Sequence, residues 1–176
     1  SNVREADEDS EAVLALTQAA LNSAIDALLG MRLSEGERLK AYLSNCVDTV
    51  LALTEKISKR APLVVGEYKA KLDERIQTLL GQVEVDRTRL ATEVALFADK
   101  ASIDEEITRL HSHITEFCSL LNASEPSGRK LDFVVQEMNR EFNTIGSKAN
   151  DGELTNLVLS GKAEIEKIRE QVQNIE

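Results

Sequence analysis

The sequence is poor in the residues that build turns, sheets and aromatic surfaces. Its 176 residues include no Trp, two Tyr, four Phe, two Pro and eight Gly. Because β-sandwiches and barrels need frequent turns rich in Gly and Pro, this scarcity argues against both. The remaining residues, dominated by Leu, Ala, Glu, Lys, Ile and Val, favour helix by intrinsic propensity. The composition therefore predicts an all-α protein.

Several classes of site and compartment are also disfavoured. The two cysteines, Cys46 and Cys118, are isolated, and in a cytosolic chain they predict small buried side chains rather than a disulfide. We recognise no signal peptide and no apolar run of 18 residues, so we expect a cytoplasmic protein without a membrane span. The sequence has no Walker loop, dinucleotide glycine fingerprint, zinc-ligand spacing or nucleophile elbow. A base-stacking platform is disfavoured too, since Phe133 is the one aromatic on a polar helix face.

Acidic residues outnumber basic ones by 31 to 21, which gives a net charge of −10. This charge argues against tight, sequence-independent nucleic-acid binding by the chain as a whole. Five of the acidic residues lie within the first eleven positions, where they are expected to fray the first helix. We interpret 1–9 as an expression scar and frayed start, 10–85 as a long helical hairpin region and 86–176 as a C-terminal helical domain.

Apolar residues recur at helical spacing along most of the chain. Periodicity does not decide whether 10–59 forms one helix or two, but Pro62 predicts a helix end at Ala61. Ser102 with Glu105 is typical of a capping box at the start of a later helix. Further breaks are predicted at 81–86, 124–130 and 150–152. We expect long antiparallel helical hairpins in an elongated bundle whose remaining apolar faces are covered in an oligomer.

The helix that follows Ser102 carries two histidines near its apolar stripe. His111 and His113 differ by about 200° around the helix, so they cannot bind one metal ion together. His113 lies two turns from Glu106 on the same edge of the stripe. It is either a border histidine bonded to Glu106 or to a neighbouring helix, or a metal ligand or acid–base group.

The helix over 131–148 has an unusually polar outer face. Asn, Thr and Ser are frequent there although they are mediocre in helix interiors, so specific partners are expected. Glu137 and Glu141, one turn apart, are suited to sharing Mg²⁺ or Mn²⁺. Four basic residues could reach phosphates: Arg129, Lys130, Arg140 and Lys148. This set suits metal-assisted phosphodiester cleavage, but spacing alone equally allows a polar network between helices.

Three stretches resemble the YicC/YloC family of bacterial proteins. The first is 128–148, which contains Gln136-Glu-Met-Asn-Arg-Glu-Phe-Asn-Thr144. The second is Asp104–His113, preceded by Arg89-Leu90 and Glu93. The third is the ending Lys167–Glu176. Together they extend over about 86–176, and weaker similarity reaches towards the start.

The resemblance implies an endoribonuclease or RNA-clamping protein that depends on Mn²⁺ or Mg²⁺ and assembles as a ring-like homo-oligomer, a hexamer. It also implies a separate N-terminal domain that this sequence lacks. Because they fall inside the matching stretches, we carry over His113, Glu137 and Glu141 as catalytic and metal-binding residues and Arg140 and Lys148 as phosphate-binding residues. His111 is left out. The leading hypothesis is the C-terminal region of a metal-dependent endoribonuclease. The alternatives are a non-catalytic RNA clamp that presents RNA to another nuclease and a helical scaffold without an RNA role.

Overall fold

The computed structural model describes residues 2–80, 86–123, 127–173 and 175 of the chain. It describes the side chains of these residues except those of 2–9 and 80. Five helices make up most of the described residues. The helices are α1 (Asn2–Leu80), α2 (Arg87–Ala101), α3 (Asp104–Leu121), α4 (Gly128–Lys148) and α5 (Gly152–Val172). No strand occurs in these ranges, so the all-α prediction is confirmed. The breaks predicted at 81–86 and 124–130 fall largely outside the described residues.

The predicted helix end at Ala61-Pro62 is wrong, because α1 continues through Pro62. A proline inside a helix removes one backbone hydrogen bond and crowds the carbonyl four residues earlier. Here Ile57 and Val64, which flank the proline, are both buried in the core. Packing of the same helix face on both sides of Pro62 offsets the lost hydrogen bond, so the helix persists.

The capping box predicted at Ser102 is also wrong. Ser102 ends α2, and Ile103 occupies the N-cap of α3 without a side-chain cap. Three acidic residues fill the first turn of α3, where they interact favourably with the helix dipole. The backbone carbonyl of Ser102 accepts a hydrogen bond from Lys148 Nζ at 3.0 Å instead.

The chain divides into two compact units, Ser1–Tyr42 and Leu43–Glu176. The division falls inside α1, earlier than the boundary at 85/86 that we interpret from the sequence. In the second unit, α4 packs against both α3 and α5. The core of this unit is apolar and draws on four helices; its largest fully buried side chains are Leu43, Val47, Ile57, Ile103, Leu110, Phe117, Leu131, Met138, Phe142, Ile145, Ile165 and Ile168.

The first unit is a helix whose large apolar side chains are exposed; they are Val13, Leu14, Leu16, Leu21, Ile25, Leu28, Leu29, Met31 and Leu33. The part of α1 over Ser10–Leu79 includes an 18-residue window with mean hydropathy 1.5, none of it buried. No 18 consecutive residues of the sequence are all apolar, so this window does not contradict the expectation of no such run. By length and composition this window could cross a membrane, although the core helix of a soluble protein or a signal sequence meets the same criteria.

The turn predicted at 150–152 is confirmed, and it is tied to α1. Asp151 caps α5 by accepting a hydrogen bond from the Leu154 N–H at 2.9 Å. The Arg60 guanidinium donates to the same carboxylate at 2.6 Å and 3.1 Å. The bond from Arg60, with that from Leu154, lowers the pKa of Asp151 to about 2. One carboxylate thus fixes both the start of α5 and its position against α1.

Candidate functional site

The packing of α3 on α4 brings three of the residues predicted from the sequence together. His113 of α3 faces Glu137 and Glu141 of α4, and one potential ligand atom from each lies within 4.8 Å of the other two. We call these three residues the metal cluster. His113 and Glu137 are half-buried and Glu141 is buried, so the cluster is sheltered but reachable. Among the described residues His113 has no hydrogen-bond partner, and Glu106 bonds to other groups.

The two carboxylate oxygens of Glu141 have different surroundings. Oε1 accepts a hydrogen bond from Arg109 Nε at 2.9 Å. Oε2 is buried and has no partner among the described residues. A buried charged acceptor without a partner is costly, so a cation at this oxygen would remove a large penalty. The orphaned oxygen lies in the carboxylate that completes the metal cluster, and this fits a divalent ion.

The spacing of the cluster also suits one ion after small adjustments. With bonds of about 2.1 Å, ligand atoms on an octahedral ion lie about 3.0 Å apart when adjacent and about 4.2 Å apart when opposite. The observed limit of 4.8 Å is slightly wider, so small rotations of the three side chains would bring their ligand atoms to these distances. Two carboxylates favour Mg²⁺ or Mn²⁺, and an added imidazole favours Mn²⁺ of the two. Three protein ligands leave positions for water and substrate oxygens.

A third carboxylate, that of Glu106, lies beside the cluster but is paired with cations. Its Oε1 accepts from Lys148 Nζ at 2.9 Å and from Arg109 Nη2 at 3.3 Å, whereas its Oε2 is buried without a partner. Burial would raise the pKa of Glu106, but the Lys148 hydrogen bond and the charges of Lys148 and Arg109 together hold it below its usual value. Glu106 therefore remains charged and fixes Arg109, which in turn orients Glu141.

The four basic residues predicted to contact phosphate have different surroundings. Arg140 is 75% exposed and lies only 3.8 Å from Glu137 in a loose ion pair. It borders a recess of about 250 Å³ that is also lined by Arg109, Glu137, Glu141 and Thr144.

Arg129 and Lys130 are exposed in the first turn of α4, roughly 10 Å along the helix axis from Glu137. Lys148 is held by Glu106 and by the Ser102 carbonyl. Arg140 is thus the basic residue nearest the cluster that is free to move towards a phosphate.

Sequence reasoning missed Arg109, which contacts three carboxylates: Glu105, Glu106 and Glu141. The hydrogen bond to Glu141 is the main reason that the pKa of Arg109 is raised above its usual value. The sequence did contain a signal that Arg109 lies near the site, because Arg109 precedes His113 by one turn on the same face of α3. The contact to Glu141 spans 32 residues, however, and no local spacing predicts it.

Comparison with known proteins adds independent information. Residues 57–176 match the family described as "Endoribonuclease YicC-like, C-terminal". The chain is 44% identical over 175 residues to a "Probable endoribonuclease YicC" of Clostridioides difficile (strain 630), and the match covers 99% of the chain and 60% of that protein. A protein of the same description from Haemophilus influenzae is 32% identical over 170 residues, covering 97% and 58% respectively. The chain thus spans about three-fifths of the length of these relatives.

Proposed function

The chain belongs to the YicC-like endoribonuclease family, and on that premise we propose that its α3–α4 pair carries the divalent-metal centre of an enzyme that hydrolyses RNA phosphodiester bonds. The observation that supports this most directly is the metal cluster with the buried, unpartnered Oε2 of Glu141. All three cluster residues lie within the stretch that matches the family. Their roles as ligands and catalytic groups are part of the proposal.

A bound Mn²⁺ or Mg²⁺ ion would lower the pKa of a coordinated water and stabilise negative charge on a phosphate oxygen. Glu137 and Glu141 would hold the ion, and the Arg109 hydrogen bond orients the Glu141 carboxylate. His113 would take a proton from the attacking water, or act as the third ligand. As the water oxygen bonded to phosphorus, the bond to the leaving ribose oxygen would break, and that oxygen would take a proton from solvent water. Arg140 would bind the phosphate through its exposed guanidinium.

The test uses the 176-residue chain and a version extended to the length of its relatives. Each is incubated with labelled structured RNA in Mn²⁺, in Mg²⁺ and in EDTA. We expect cleavage by the extended protein with metal, and a loss of at least a hundredfold in the variants Glu137→Gln and Glu141→Gln. Glu116→Gln, which changes an exposed glutamate elsewhere on α3, is the matched control and retains full activity.

Wild-type cleavage by the double variant Glu137→Gln/Glu141→Gln would overturn the proposed site. RNA binding without cleavage at any metal concentration would replace the nuclease by the RNA clamp. If the protein neither binds nor cleaves RNA, the helices would form a scaffold without an RNA role. Direct titration of Mn²⁺, followed by the electron paramagnetic resonance of the free ion, separates loss of metal binding from loss of catalysis. We expect both carboxamide variants to bind Mn²⁺ more weakly than the Glu116→Gln control.

A further inference from the structure

A second recess, of about 410 Å³, lies between α4 and α5. Its lining is Val135, Gln136, Asn139, Arg140, Asn143 and Arg169, and we call it the amide recess. Three carboxamides and two guanidinium groups line it, and no carboxylate does. In a chain of net charge −10 this is an unusual concentration of hydrogen-bond donors. Such a lining suits a ligand that is negatively charged and rich in oxygen.

Two polar atoms of the amide recess are buried without a hydrogen-bond partner among the described residues. They are Oδ1 of Asn139, an acceptor, and Nε of Arg169, a donor. Each such atom costs roughly 1–3 kcal/mol when it stays unsatisfied, and few occur in native proteins. Within the described ranges, the one side chain that holds the Arg169 guanidinium is Glu166, at 3.5 Å from Nη1. Since both residues line the recess, rotation of their terminal groups would turn these atoms towards a ligand.

A ribonucleotide satisfies both atoms at once. Its phosphate oxygens accept hydrogen bonds from guanidinium groups and from amide N–H groups. Its 2′-hydroxyl can donate to Asn139 Oδ1, and this hydroxyl is the group that distinguishes RNA from DNA. The charge of Asp132, which lies two turns before Asn139 on the same side of α4, disfavours phosphate at that end. The phosphate is therefore placed at the end of the recess near Arg140 and Asn143.

The amide recess and the metal cluster lie on opposite flanks of one exposed ridge of α4. Arg140 lines both the 410 Å³ recess and the 250 Å³ recess beside the cluster. Because a helix with its side chains is about 10–12 Å wide, a strand that crosses the ridge can occupy both flanks within a few nucleotides. Arg140, in its loose ion pair with Glu137, would contact the backbone between them.

We propose that the amide recess is a ribonucleotide subsite, in which Arg169 and Arg140 bind a backbone phosphate and Asn139 accepts a hydrogen bond from a ribose 2′-hydroxyl. The subsite rests on the proposed function, since it holds the nucleotide that lies beside the metal cluster. It assigns RNA selectivity to α4 and α5 rather than to the metal ligands. Arg169 and Asn139 are positioning residues in this account and take no part in bond breaking.

The test measures binding in EDTA, so that cleavage does not contribute. Fluorescently labelled single strands of RNA, of the same RNA with 2′-O-methyl groups, and of DNA are titrated with the full chain, and anisotropy is recorded. We expect the wild type to bind RNA more tightly than the other two strands. Asn139→Leu should weaken RNA binding roughly tenfold and leave DNA binding unchanged. Arg169→Gln should weaken binding of all three strands and reduce its salt dependence.

Matched controls carry the same chemical changes at exposed positions away from the recess, namely Asn156→Leu on α5 and Arg75→Gln on α1. Thermal melting of each variant verifies folding, and Arg169→Gln keeps the test informative if Asn139→Leu fails to fold. Wild-type RNA affinity in Arg169→Gln, or an equal loss for RNA and DNA in Asn139→Leu, would overturn the subsite. A change in sedimentation without a change in RNA affinity would show that the recess holds a second copy of the chain, and would also overturn it.

Failure of the subsite is distinguishable from failure of the nuclease proposal. RNA selectivity without any metal-dependent cleavage would keep the subsite and remove the catalytic role of the metal cluster. Metal-dependent cleavage by a protein that binds RNA and DNA equally would keep the catalytic role of the metal cluster and remove the ribonucleotide subsite.

Discussion

The close approach of α4 and α5 at Gly161 predicts a large effect from a one-carbon change at this position. A Cβ atom added to Gly161 would lie 2.3 Å from Cε1 and 2.5 Å from Cζ of Phe142. Carbon atoms in contact normally lie about 3.5–4.0 Å apart, so the added carbon must displace the ring by more than about 1 Å. Phe142 has no exposed surface, and because protein interiors are close-packed, moving its ring disturbs the core. We therefore expect Gly161→Ala to destabilise the bundle.

The change in the free energy of unfolding caused by Gly161→Ala is the sum of two opposing effects. Replacing Gly by Ala in a helix stabilises it by about 1 kcal/mol through propensity. Overpacking a closed core costs about 1–3 kcal/mol, and a contact this short lies at the upper end of that range. The net loss in the free energy of unfolding is about 2 kcal/mol. For a chain of this size that corresponds to a fall in Tm of about 4–8 °C.

Urea and thermal unfolding, followed by circular dichroism at the helix band, measure this loss. Gly66→Ala is the matched control, because nothing lies within 4 Å of its added Cβ and only the propensity gain applies. Phe142→Leu supplies the rescue, since Gly161→Ala should cost less once the ring is absent. If Gly161→Ala proves as stable as Gly66→Ala, the close approach of α4 and α5 is wrong, and the amide recess between them loses its support.

The remaining predictions concern charge and backbone. Lys148→Met should lower stability by about 1–3 kcal/mol, because Glu106 stays buried with fewer cations, and adding Glu106→Gln should recover part of that loss in urea titrations. The contribution of Asp151 should be complete above pH 4 and should fall as pH approaches its folded pKa of about 2. Melts between pH 6 and pH 2 should show a shallower acid loss for Asp151→Asn, and an unchanged slope would contradict the Arg60 pairing. Pro62→Ala should raise Tm, because it restores a backbone hydrogen bond inside α1; a lower Tm would show that the proline stabilises the helix.

The fold was largely predictable because helical periodicity is a local property. Leu110 and Phe117 of α3 and Phe142 of α4, which belong to apolar residues at helical spacing, are buried in the core. Pro62 misled because its local cost was judged without the packing of Ile57 and Val64 on either side. The exposed apolar side chains of the first unit show a second limit of prediction from sequence. An apolar stripe predicts that a helix face is covered, but it does not identify what covers it.

Interactions between helices were the part of the site that sequence could not supply. The alignment of Glu106 with His113 on one helix edge suggested that they were partners. In the structure Glu106 instead bonds to Lys148, which is 42 residues away, and to Arg109. Such pairs depend on how α3 and α4 are rotated and shifted against each other. No spacing within either helix contains that information.

The charges around the metal cluster now separate two roles that were indistinguishable in the sequence. A purely structural network would pair each buried carboxylate with a cation, and Glu106 follows that pattern with Lys148 and Arg109 on one oxygen. Glu141 does so only in part: Oε2 is buried and unpartnered in both glutamates, but Glu141 is paired with a single cation among the described residues, Arg109, which also contacts Glu105 and Glu106. Among the described residues, Glu137 has only the loose contact with Arg140. Negative charge therefore remains beside the His113 imidazole, and a divalent cation would neutralise it. Loss of stability in Glu141→Gln without any loss of Mn²⁺ binding would favour the structural role instead.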